Sequence, residues 1–334
     1  MQDQYHCICC ETSSEPKVVL RSKDRNKTGD IVRCPSCKLV FVTPMPDDTT
    51  ISNCYVGLYS ERSLPDKIDE KVDWARNSIK GYIKELESLG RWPKRDFLNL
   101  GGGLGYYSKA AQAEGLNSTL VDWDPVSIAF AKGNLGVRKT FCASIEEFAT
   151  DFKSRKYDLI LLRHVIEHCK TPESRIKIVR SLLSDDGILI IETPNNRGLE
   201  VFFKPQIARS FFAYYQKHYE QVSYFSLIRK QPYAIRPPRH LFAFRIENLE
   251  MLLKQNGLFP IKRLNCMLGD KIYWPNAKNH TLTDVFRSLF QRKLKRFVHA
   301  GLDFGLHPMR LALHRVGKSS GICIYAVKSA QDNR

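Results

Sequence analysis

The stretch FLNLGGGLG, residues 97–105, places a short apolar run directly before a turn with glycines at alternate positions. Glycine has no side chain and adopts left-handed backbone conformations, so such a turn lets backbone N–H groups approach a ligand closely. In a parallel sheet, ligands bind at the carboxyl ends of the strands. The stretch therefore predicts a first core strand, Phe97–Leu100, and a ligand-binding turn at Gly101, Gly103 and Gly105.

Strand and helix patterns alternate after this turn. Further short apolar runs predict strands at Ser118–Val121, Arg138–Cys142, Leu159–Leu162, Ile188–Glu192 and, at the end of the chain, 321–328. Helical periodicity indicates helices at 68–90, 106–114, 126–134 and 172–184. This alternation predicts an α/β fold with a doubly wound, Rossmann-like parallel sheet and right-handed crossovers.

An acidic residue follows the second predicted strand at a spacing that suits a nucleoside ligand. Asp122 lies 21 residues beyond Gly101 (122 − 101 = 21), where a carboxylate can accept hydrogen bonds from both hydroxyls of an adenosine ribose. NAD and S-adenosylmethionine (SAM) share this requirement. A pyrophosphate prefers a G-x-G-x-x-G turn, whereas the third glycine here comes one residue earlier. The turn therefore favours SAM, whose methionine end carries no phosphate.

Four segments resemble, in order, the successive motifs of class I SAM-dependent methyltransferases. They are FLNLGGGLG, LVDWDP (120–125), YDLILLRHVIEHCKTP (157–172) and LLSDDGILIIETPN (182–195). A weaker similarity in residues 237–258, PPRHLFAFRIENLEMLLKQNGL, extends to the helix and sixth strand of that fold. HVIEH followed by a proline, and ETPN after the fifth strand, are typical of the small-molecule branch. The resemblance implies a seven-stranded methyltransferase sheet.

The resemblance also implies which residues contact the cofactor. The glycines would line its methionine portion, Asp122 would bind the ribose hydroxyls and Trp123 would flank the adenine. Two residues after the third strand would reach the adenine edge, and two at the end of the fourth would lie under the sulfonium. The full implied set is Asn99, Gly101, Gly103, Gly105, Asp122, Trp123, Ser144, Ile145, Arg163 and His164. Asn99 replaces the acid usual in this family, so we expect weaker orientation of the cofactor's amino group with binding retained.

Three histidines are candidate catalytic residues. Methyl transfer from a sulfonium is an in-line displacement that depends on positioning, and an oxygen acceptor must also lose its proton, usually to histidine. His164 and His168 follow the fourth strand, and His240 lies in RPPRH before a predicted helix. A structural histidine with satisfied hydrogen bonds is the alternative for each. Glu167 is interpreted as a structural or positioning carboxylate.

The amino-terminal cysteines predict a metal site. Cys7 and Cys10 form one C-x-x-C knuckle, and Cys34 and Cys37 form a second, so that together they offer four thiolates to one tetrahedral Zn²⁺. The sequence shows no signal-peptide pattern, and in such a chain cysteines serve as metal ligands or buried thiols more often than as disulfides. We therefore predict a structural zinc ribbon over residues 1–46, with four unrelated thiols as the alternative.

The composition of the remaining sequence predicts four further parts of the chain. The predicted parts are 47–92, a linker anchored by Tyr55 and Tyr59 plus a covering helix; 93–200, the SAM-binding core; 201–240, an aromatic and basic lid insertion; and 241–334, the end of the fold with a helical insertion at about 268–318. Aromatic rings suit sugar faces or apolar chains, and Arg and Lys suit phosphate or carboxylate groups. An additional hydrophobic layer with a solvated basic side is the alternative interpretation of 201–240.

The charge and hydropathy of the sequence limit the classes of partner that the protein can have. The net charge of +17 favours polyanions, namely nucleic acid, anionic lipid headgroups or phosphorylated substrates. No apolar run approaches the roughly 18 to 20 residues that span a bilayer, so we expect a cytoplasmic protein. The basic amphipathic pattern at 284–299 is consistent with peripheral contact to the inner face of a membrane. A core-packing helix or an oligomer contact is the alternative.

Three functional hypotheses follow. The first is SAM-dependent O-methylation of a sugar in a nucleotide-linked or lipid-linked glycan, or of a related small metabolite, with structural Zn²⁺. The second is an RNA methyltransferase that uses the zinc ribbon and basic surface, although no Asn/Asp-Pro-Pro-aromatic motif follows the fourth strand. The third is a non-catalytic binding module, which Asn99 favours and the retained Asp122 and glycines oppose.

Overall fold

The computed structural model describes residues 6–55, 67–230, 232, 234–267, 281–290 and 294–328. Its strands are β1 Lys17–Leu20, β2 Asp30–Arg33, β3 Val40–Thr43, β4 Asp96–Leu100, β5 Asn117–Asp122, β6 Lys139–Cys142, β7 Tyr157–Arg163, β8 Leu183–Pro194, β9 Phe242–Ala243, β10 Phe259–Cys266 and β11 Gly321–Val327. Its helices are α1 Arg25–Thr28, α2 Asp48–Asn53, α3 Ile68–Ser88, α4 Tyr106–Ala113, α5 Pro125–Gly133, α6 Ile145–Asp151, α7 Pro172–Leu182, α8 Pro205–His218, α9 Tyr224–Lys230, α10 Ile246–Gln255, α11 Leu282–Phe290, α12 Leu294–Gly305 and α13 His307–Arg315. Short 3₁₀ helices lie at Ile166–His168 and Glu200–Phe203.

Seven strands form the central sheet in the order β10-β11-β8-β7-β4-β5-β6. The five strands from β8 to β6 are parallel, and β10 and β11 pair antiparallel at the other edge. The middle strands are buried on both faces, which explains why they read as continuous apolar runs. This arrangement confirms the predicted doubly wound, Rossmann-like sheet.

The topology fixes where a ligand binds. From β4 the chain proceeds through β5 and β6 to one side, and then returns to β7 and β8 on the other side. The crevice between β4 and β7 is therefore the switch point of the sheet, and ligands of doubly wound folds bind outside the carboxyl ends of the strands at this point. The glycine turn follows β4, and the HVIEH segment follows β7.

A second sheet joins the amino-terminal region to the later part of the chain. Its order is β1-β2-β3-β9, and Phe41 of β3 pairs with Phe242 of β9. The strand β3 follows the second cysteine knuckle, within the predicted ribbon. One buried cluster includes Cys34 and Phe41 together with side chains of the central sheet, so the two sheets share a continuous core. The boundary at residue 46 remains a prediction from the sequence.

The aromatic residues between 201 and 240 pack mainly against this second sheet. A buried cluster comprises Val19, Leu20, Ile31, Val40, Val42, Val201, Phe202, Phe211, Tyr215, Tyr219, Leu227, Ala234, Ile235 and Ala243. The guanidinium of Arg236 lies over the rings of Phe211 and Tyr214, at 4.6 and 5.1 Å from their centroids. The segment therefore supplies a hydrophobic layer with a cation stacked on two of its rings, and its role as a lid remains a prediction.

The basic segment near the end of the chain contains separate helices. The described part of 284–299 belongs to α11 and α12, while 268–280 and 291–293 lie outside the described residues. Asp303 of α12 pairs with the fully buried Arg310 of α13 at 3.1 Å, and with Lys204 at 3.5 Å. These ion pairs connect α12 and α13 to the start of α8. Among the described helices, none has the length and apolarity to cross a membrane.

Candidate active site

The glycine turn has the backbone geometry that its sequence predicts. Gly101, Gly103 and Gly105 have φ values of +65°, +53° and +80°, a region that favours glycine. The N–H of Gly101 donates to the carbonyl of Val121 at 2.9 Å, which ties the turn to the end of β5. A Cβ at Gly101 would lie 2.6 Å from Cγ2 of Val165, so the turn also packs closely against the residues that follow β7.

Asn99 and Gly102 form the floor of this turn. Asn99 is buried, and its Nδ2 donates to Oγ of Ser108 in α4 at 3.1 Å. A Cβ at Gly102 would lie 2.3 Å from Nδ2 of Asn99 and 2.4 Å from Cδ1 of Leu120. Asn99 therefore supports the turn from below, and its contact with the cofactor remains a prediction. Gly102 was missed at the sequence level, although the unbroken glycine run was the signal that could have shown it.

Gly102→Ala is expected to lower the free energy of unfolding by about 1–3 kcal/mol, because the added methyl group overpacks the floor of the turn. It should also weaken binding of S-adenosylhomocysteine (SAH). Denaturant unfolding and calorimetry measure the two effects. Gly133→Ala is the matched control, since a Cβ there meets nothing within 4 Å. Equal stability and affinity in Gly102→Ala and the wild type would contradict this description of the turn.

Asp122 lies at the end of β5 and faces the glycine turn. Its Oδ2 accepts from the N–H of Gly103 at 2.7 Å, and its Oδ1 accepts from the N–H of Asp124 at 3.0 Å. Burial raises the pKa of this carboxyl, and the backbone N–H groups oppose that shift. Each carboxylate oxygen keeps a further lone pair. The side chain is therefore fixed by the turn and can still accept two ribose hydroxyls, which fits the nucleoside end of SAM.

The residues predicted to contact the adenine differ in their exposure to solvent. Trp123 is 53% exposed, and its ring stands perpendicular to the ring of Tyr55 at 5.8 Å. Ser144 caps α6, since its Oγ accepts from the N–H of Glu147 at 3.1 Å, and Ile145 is buried. Trp123 is therefore available to flank a ligand, whereas the hydroxyl of Ser144 already has a structural partner. Tyr59, the other predicted anchor, lies outside the described residues.

The three candidate histidines converge around Glu167. His164 follows β7 with φ +53°, an uncommon conformation for a residue with a side chain, and its Nδ1 lies 3.1 Å from Oε1 of Glu167. Glu167 is only 1% exposed, and its Oε2 accepts from Oγ1 of Thr193 at 3.0 Å. The carbonyl of Glu167 accepts from the N–H of Leu241 at 2.8 Å, which holds the RPPRH segment against the HVIEH turn.

His168 and His240 are oriented by backbone carbonyls. Nδ1 of His168 lies 2.8 Å from the carbonyl oxygen of Arg239 and 2.8 Å from Oη of Tyr55. Nδ1 of His240 lies 2.8 Å from the carbonyl oxygen of Ala234. The two rings are perpendicular, with centroids 4.7 Å apart. Tyr55 therefore connects this cluster to Trp123. The sequence analysis treated Tyr55 only as an anchor of the linker and did not reveal this contact.

The protonation states of this cluster follow from its burial. Burial, with His168 adding to it, lowers the pKa of His240 to about 3. Burial also lowers the pKa of His168, against the opposing charge of Glu167. The pKa of Glu167 is lowered to about 2, because the hydrogen bond from His164 and the nearby imidazoles outweigh burial, which acts in the opposite direction. At neutral pH the cluster therefore presents two neutral imidazoles beside an ionised carboxylate.

Arg163 occupies an aromatic environment that the sequence did not predict. Its Nε donates to Oε2 of the fully buried Glu192 at 2.8 Å, and Oη of Tyr82 donates to Oε1 of the same carboxylate at 2.7 Å. The guanidinium lies over the rings of Trp74 and Tyr107, at 5.2 and 5.0 Å from their centroids. Arg163 thus links α3 and α4 to β8, and its contact with the sulfonium remains a prediction.

The four cysteines predicted as metal ligands lie together. Sγ of Cys7 is 3.5 Å from Sγ of Cys37, Sγ of Cys10 is 3.6 Å from Sγ of Cys34, and all four sulfurs lie within 4.8 Å of one another. Tetrahedral Zn–S bonds of about 2.3 Å imply sulfur separations of about 3.8 Å. The cluster therefore has the donors and dimensions of a structural metal site. Cys9 is buried outside this set.

A comparison with known protein families identifies the class of the chain. A family model described as a methyltransferase domain matches residues 74–262, more than half of the chain. No curated protein matches the sequence significantly. The chain belongs to this methyltransferase family and is a class I SAM-dependent methyltransferase.

Solved structures of two methyltransferases and a cyclopropane synthase are also similar to the chain. The plantazolicin methyltransferase BamL, in complex with triazolic desmethylPZN analog and SAH, is 15% identical over 84% of this chain and 91% of that chain, with a TM-score of 0.46. Magnesium protoporphyrin IX methyltransferase (ChlM) from Synechocystis PCC 6803, with bound SAH, is 14% identical over 84% and 100%, with a TM-score of 0.45. The cyclopropane synthase MmaA2 from Mycobacterium tuberculosis is 16% identical over 73% and 82%, with a TM-score of 0.42.

Proposed function

We propose that the enzyme methylates a hydroxyl oxygen of a sugar in a nucleotide-linked or lipid-linked glycan, or of a related small polar metabolite. The observation that carries this proposal is the cluster of partly buried histidines around the buried Glu167, beside the glycine turn. A hydroxyl acceptor must lose a proton during transfer, and a histidine held by a carboxylate is suited to take it. His164, whose Nδ1 lies 3.1 Å from Glu167, has this arrangement.

Each part of the site has a distinct role in the proposed methyl transfer. SAM supplies an electrophilic methyl group on a sulfonium. The glycine turn and Asp122 would hold the methionine and nucleoside portions, and Val165 packs against the turn and so brings the HVIEH segment beside it. Nε2 of His164 would take the proton of the acceptor hydroxyl as the acceptor oxygen bonds to the methyl carbon. When bound, SAM would supply that methyl group and leave as SAH, which keeps the electron pair of the broken C–S bond.

A cation beside the cluster suits an acidic acceptor. The guanidinium of Arg239 lies 5.6 Å from the centroid of the Tyr55 ring, and its buried Nε has no hydrogen-bond partner among the described residues. Guanidinium groups bind phosphate and carboxylate through paired N–H donors. A phosphate of a nucleotide-linked or lipid-linked glycan would fit this position, next to the histidine cluster.

The test is identification of the methylated product. Purified enzyme is incubated with methyl-labelled SAM and separate pools of nucleotide sugars, lipid-linked glycans and RNA, and labelled products are assigned by mass spectrometry and NMR. The proposal predicts an O-methyl ether on a glycan. His164→Asn should abolish transfer and keep SAH binding, because asparagine tolerates a positive φ and is not a base. Labelling of RNA alone, or methylation at nitrogen, would overturn the proposal.

We also propose that α11 to α13 bring the enzyme to an anionic membrane surface. Several apolar side chains of these helices are about half exposed, namely Leu282, Phe286, Val298, Leu302 and Met309. Apolar groups beside cations such as the exposed Arg287 suit an anionic lipid interface. Cosedimentation with phosphatidylglycerol vesicles, reduced in a Phe286→Ser variant, is the expected result. Absence of vesicle binding by the wild type would contradict it.

The metal that we propose for the cysteine cluster is a structural Zn²⁺. Thiolate ligands favour zinc, and all four sulfurs lie within 4.8 Å of one another. Elemental analysis should give one zinc per chain, and Cys34→Ser should lose it, with a drop in thermal stability because the cysteines belong to the core shared by both sheets. Cys142→Ser, which changes an exposed thiol, is the matched control. Full zinc retention in Cys34→Ser would contradict this assignment.

A further inference from the structure

We propose that Glu167, His168 and His240 form a second metal site, which binds a divalent transition-metal ion beside the acceptor. The inference rests on the proposed function, because it gives two of the candidate catalytic histidines a different role from that of a base. It concerns a site separate from the cysteine cluster, with a different donor set. Two imidazoles and one carboxylate suit ions such as Mn²⁺, Fe²⁺, Co²⁺ and Zn²⁺.

The ligand atoms are already close together. One carboxylate oxygen of Glu167 and one ring nitrogen from each of His168 and His240 lie within 4.8 Å of one another. Nε2 of His168 is 3.9 Å from Oε1 of Glu167. Metal–nitrogen and metal–oxygen bonds are about 2.0–2.2 Å long. A cation between these three atoms therefore requires only small side-chain adjustments.

The surrounding hydrogen bonds orient both imidazoles for metal binding. A backbone carbonyl can only accept, so the contacts of Nδ1 with the carbonyls of Arg239 and Ala234 place the ring protons on Nδ1 of His168 and His240. This tautomer leaves Nε2 of each ring with a free lone pair. Metal-ligating histidines characteristically donate their second ring N–H to a carbonyl or carboxylate in this way.

The carboxylate is held in a similar manner. Oε2 of Glu167 accepts from Oγ1 of Thr193, and Oε1 faces His164 and His168. Glu167 is only 1% exposed, and these contacts hold its carboxylate in one orientation. Oε1 is therefore fixed on the side of His168, where a divalent cation would bind it. Oε1 retains a second lone pair for the hydrogen bond to His164.

The site keeps room for the acceptor. The side chains of His168 and His164 are 17% and 25% exposed, so the cluster is reached from solvent at the carboxyl edge of the sheet. Three protein ligands leave coordination positions open, as in catalytic metal sites. A cation there would bind the acceptor's hydroxyl and lower its pKa, which makes proton transfer to His164 easier.

Metal binding is tested directly, without the acceptor. Zinc-replete protein is titrated with Mn²⁺, and free Mn²⁺ is followed by electron paramagnetic resonance. Mn²⁺ is the probe because it prefers oxygen and nitrogen ligands and does not compete for thiolates. We expect one Mn²⁺ per chain, with binding weakened at least about 10-fold in His168→Ala and His240→Ala. His218→Ala, on α8, is the control and should bind as the wild type does.

The outcomes separate this proposal from the proposed function. Calorimetric binding of SAH by each variant verifies that it is folded. No Mn²⁺ binding by the wild type, or equal binding by SAH-competent His168→Ala and His240→Ala, would overturn the metal site and leave O-methylation with a histidine base intact. Specific Mn²⁺ binding together with methylation of nitrogen or RNA would support the metal site and refute the proposed acceptor.

Discussion

Asp122→Ala is expected to weaken SAH binding by at least about 100-fold, or about 2.8 kcal/mol. The carboxylate lies beside the glycine turn with lone pairs available for two ribose hydroxyls, and hydrogen bonds to a charged acceptor are the stronger kind. Isothermal calorimetry with SAH and SAM measures the change. NAD should not bind to either the variant or the wild type.

Two further variants distinguish ligand binding from damage to the turn. Asp122 also accepts the N–H of Gly103, so its removal could displace the turn itself. Asp122→Asn keeps the volume and one accepting oxygen, and it should still lose most of the affinity because its charge is gone. Asp186→Ala changes an exposed carboxylate and should bind SAH normally. Wild-type affinity in Asp122→Ala would refute the role of this residue.

Glu192→Ala is expected to lower the free energy of unfolding by about 3–5 kcal/mol, because it leaves the guanidinium of Arg163 without its buried counter-charge. Glu192 is fully buried and accepts hydrogen bonds from both Arg163 and Tyr82. The loss is therefore larger than that of one neutral hydrogen bond. Urea unfolding followed by circular dichroism measures it.

An exposed ion pair provides the comparison. Asp185 lies 3.3 Å from Lys328, and its side chain is fully exposed to solvent. Asp185→Ala should leave the free energy of unfolding close to that of the wild type, since solvent screens such a pair. Similar effects of Glu192→Ala and Asp185→Ala would show that the Arg163–Glu192 pair does not stabilise the sheet as we describe.

Local patterns in the sequence were sufficient for the central sheet. The predicted strand Phe97–Leu100 is β4, Asp96–Leu100, and the predicted strand Leu159–Leu162 lies inside β7. Strands buried on both faces give continuous apolar runs, and glycines with positive φ mark the turn between β4 and α4. The cysteine knuckles were equally readable, because two C-x-x-C pairs have few alternative uses.

Contacts between distant segments were not readable. The strand β9 completes a sheet with β3, about 200 residues earlier, yet its two residues carry no pattern of their own. The aromatic rings of α8 cover that sheet, a partner which composition alone could not choose over a ligand. Arg163 looked like a cofactor residue from its motif position, and only tertiary packing showed its aromatic environment.

The candidate site was predictable in part from the sequence. The sequence placed His164 and His168 after one strand, but it did not reveal that His240 meets them, or that Tyr55 connects the cluster to Trp123. Those contacts depend on the position of the RPPRH segment against the HVIEH turn. Motifs thus nominated candidate residues, and the fold showed their partners and orientations.

The most direct test of the account is a crystal structure of the enzyme with SAH. We predict ribose hydroxyls within hydrogen-bond distance of the Asp122 carboxylate, the adenine beside Trp123, and the sulfur on the side of the glycine turn that faces His164. SAH bound elsewhere, or with its ribose away from Asp122 and its sulfur away from the histidine cluster, would contradict both the cofactor site and the proposed catalytic arrangement.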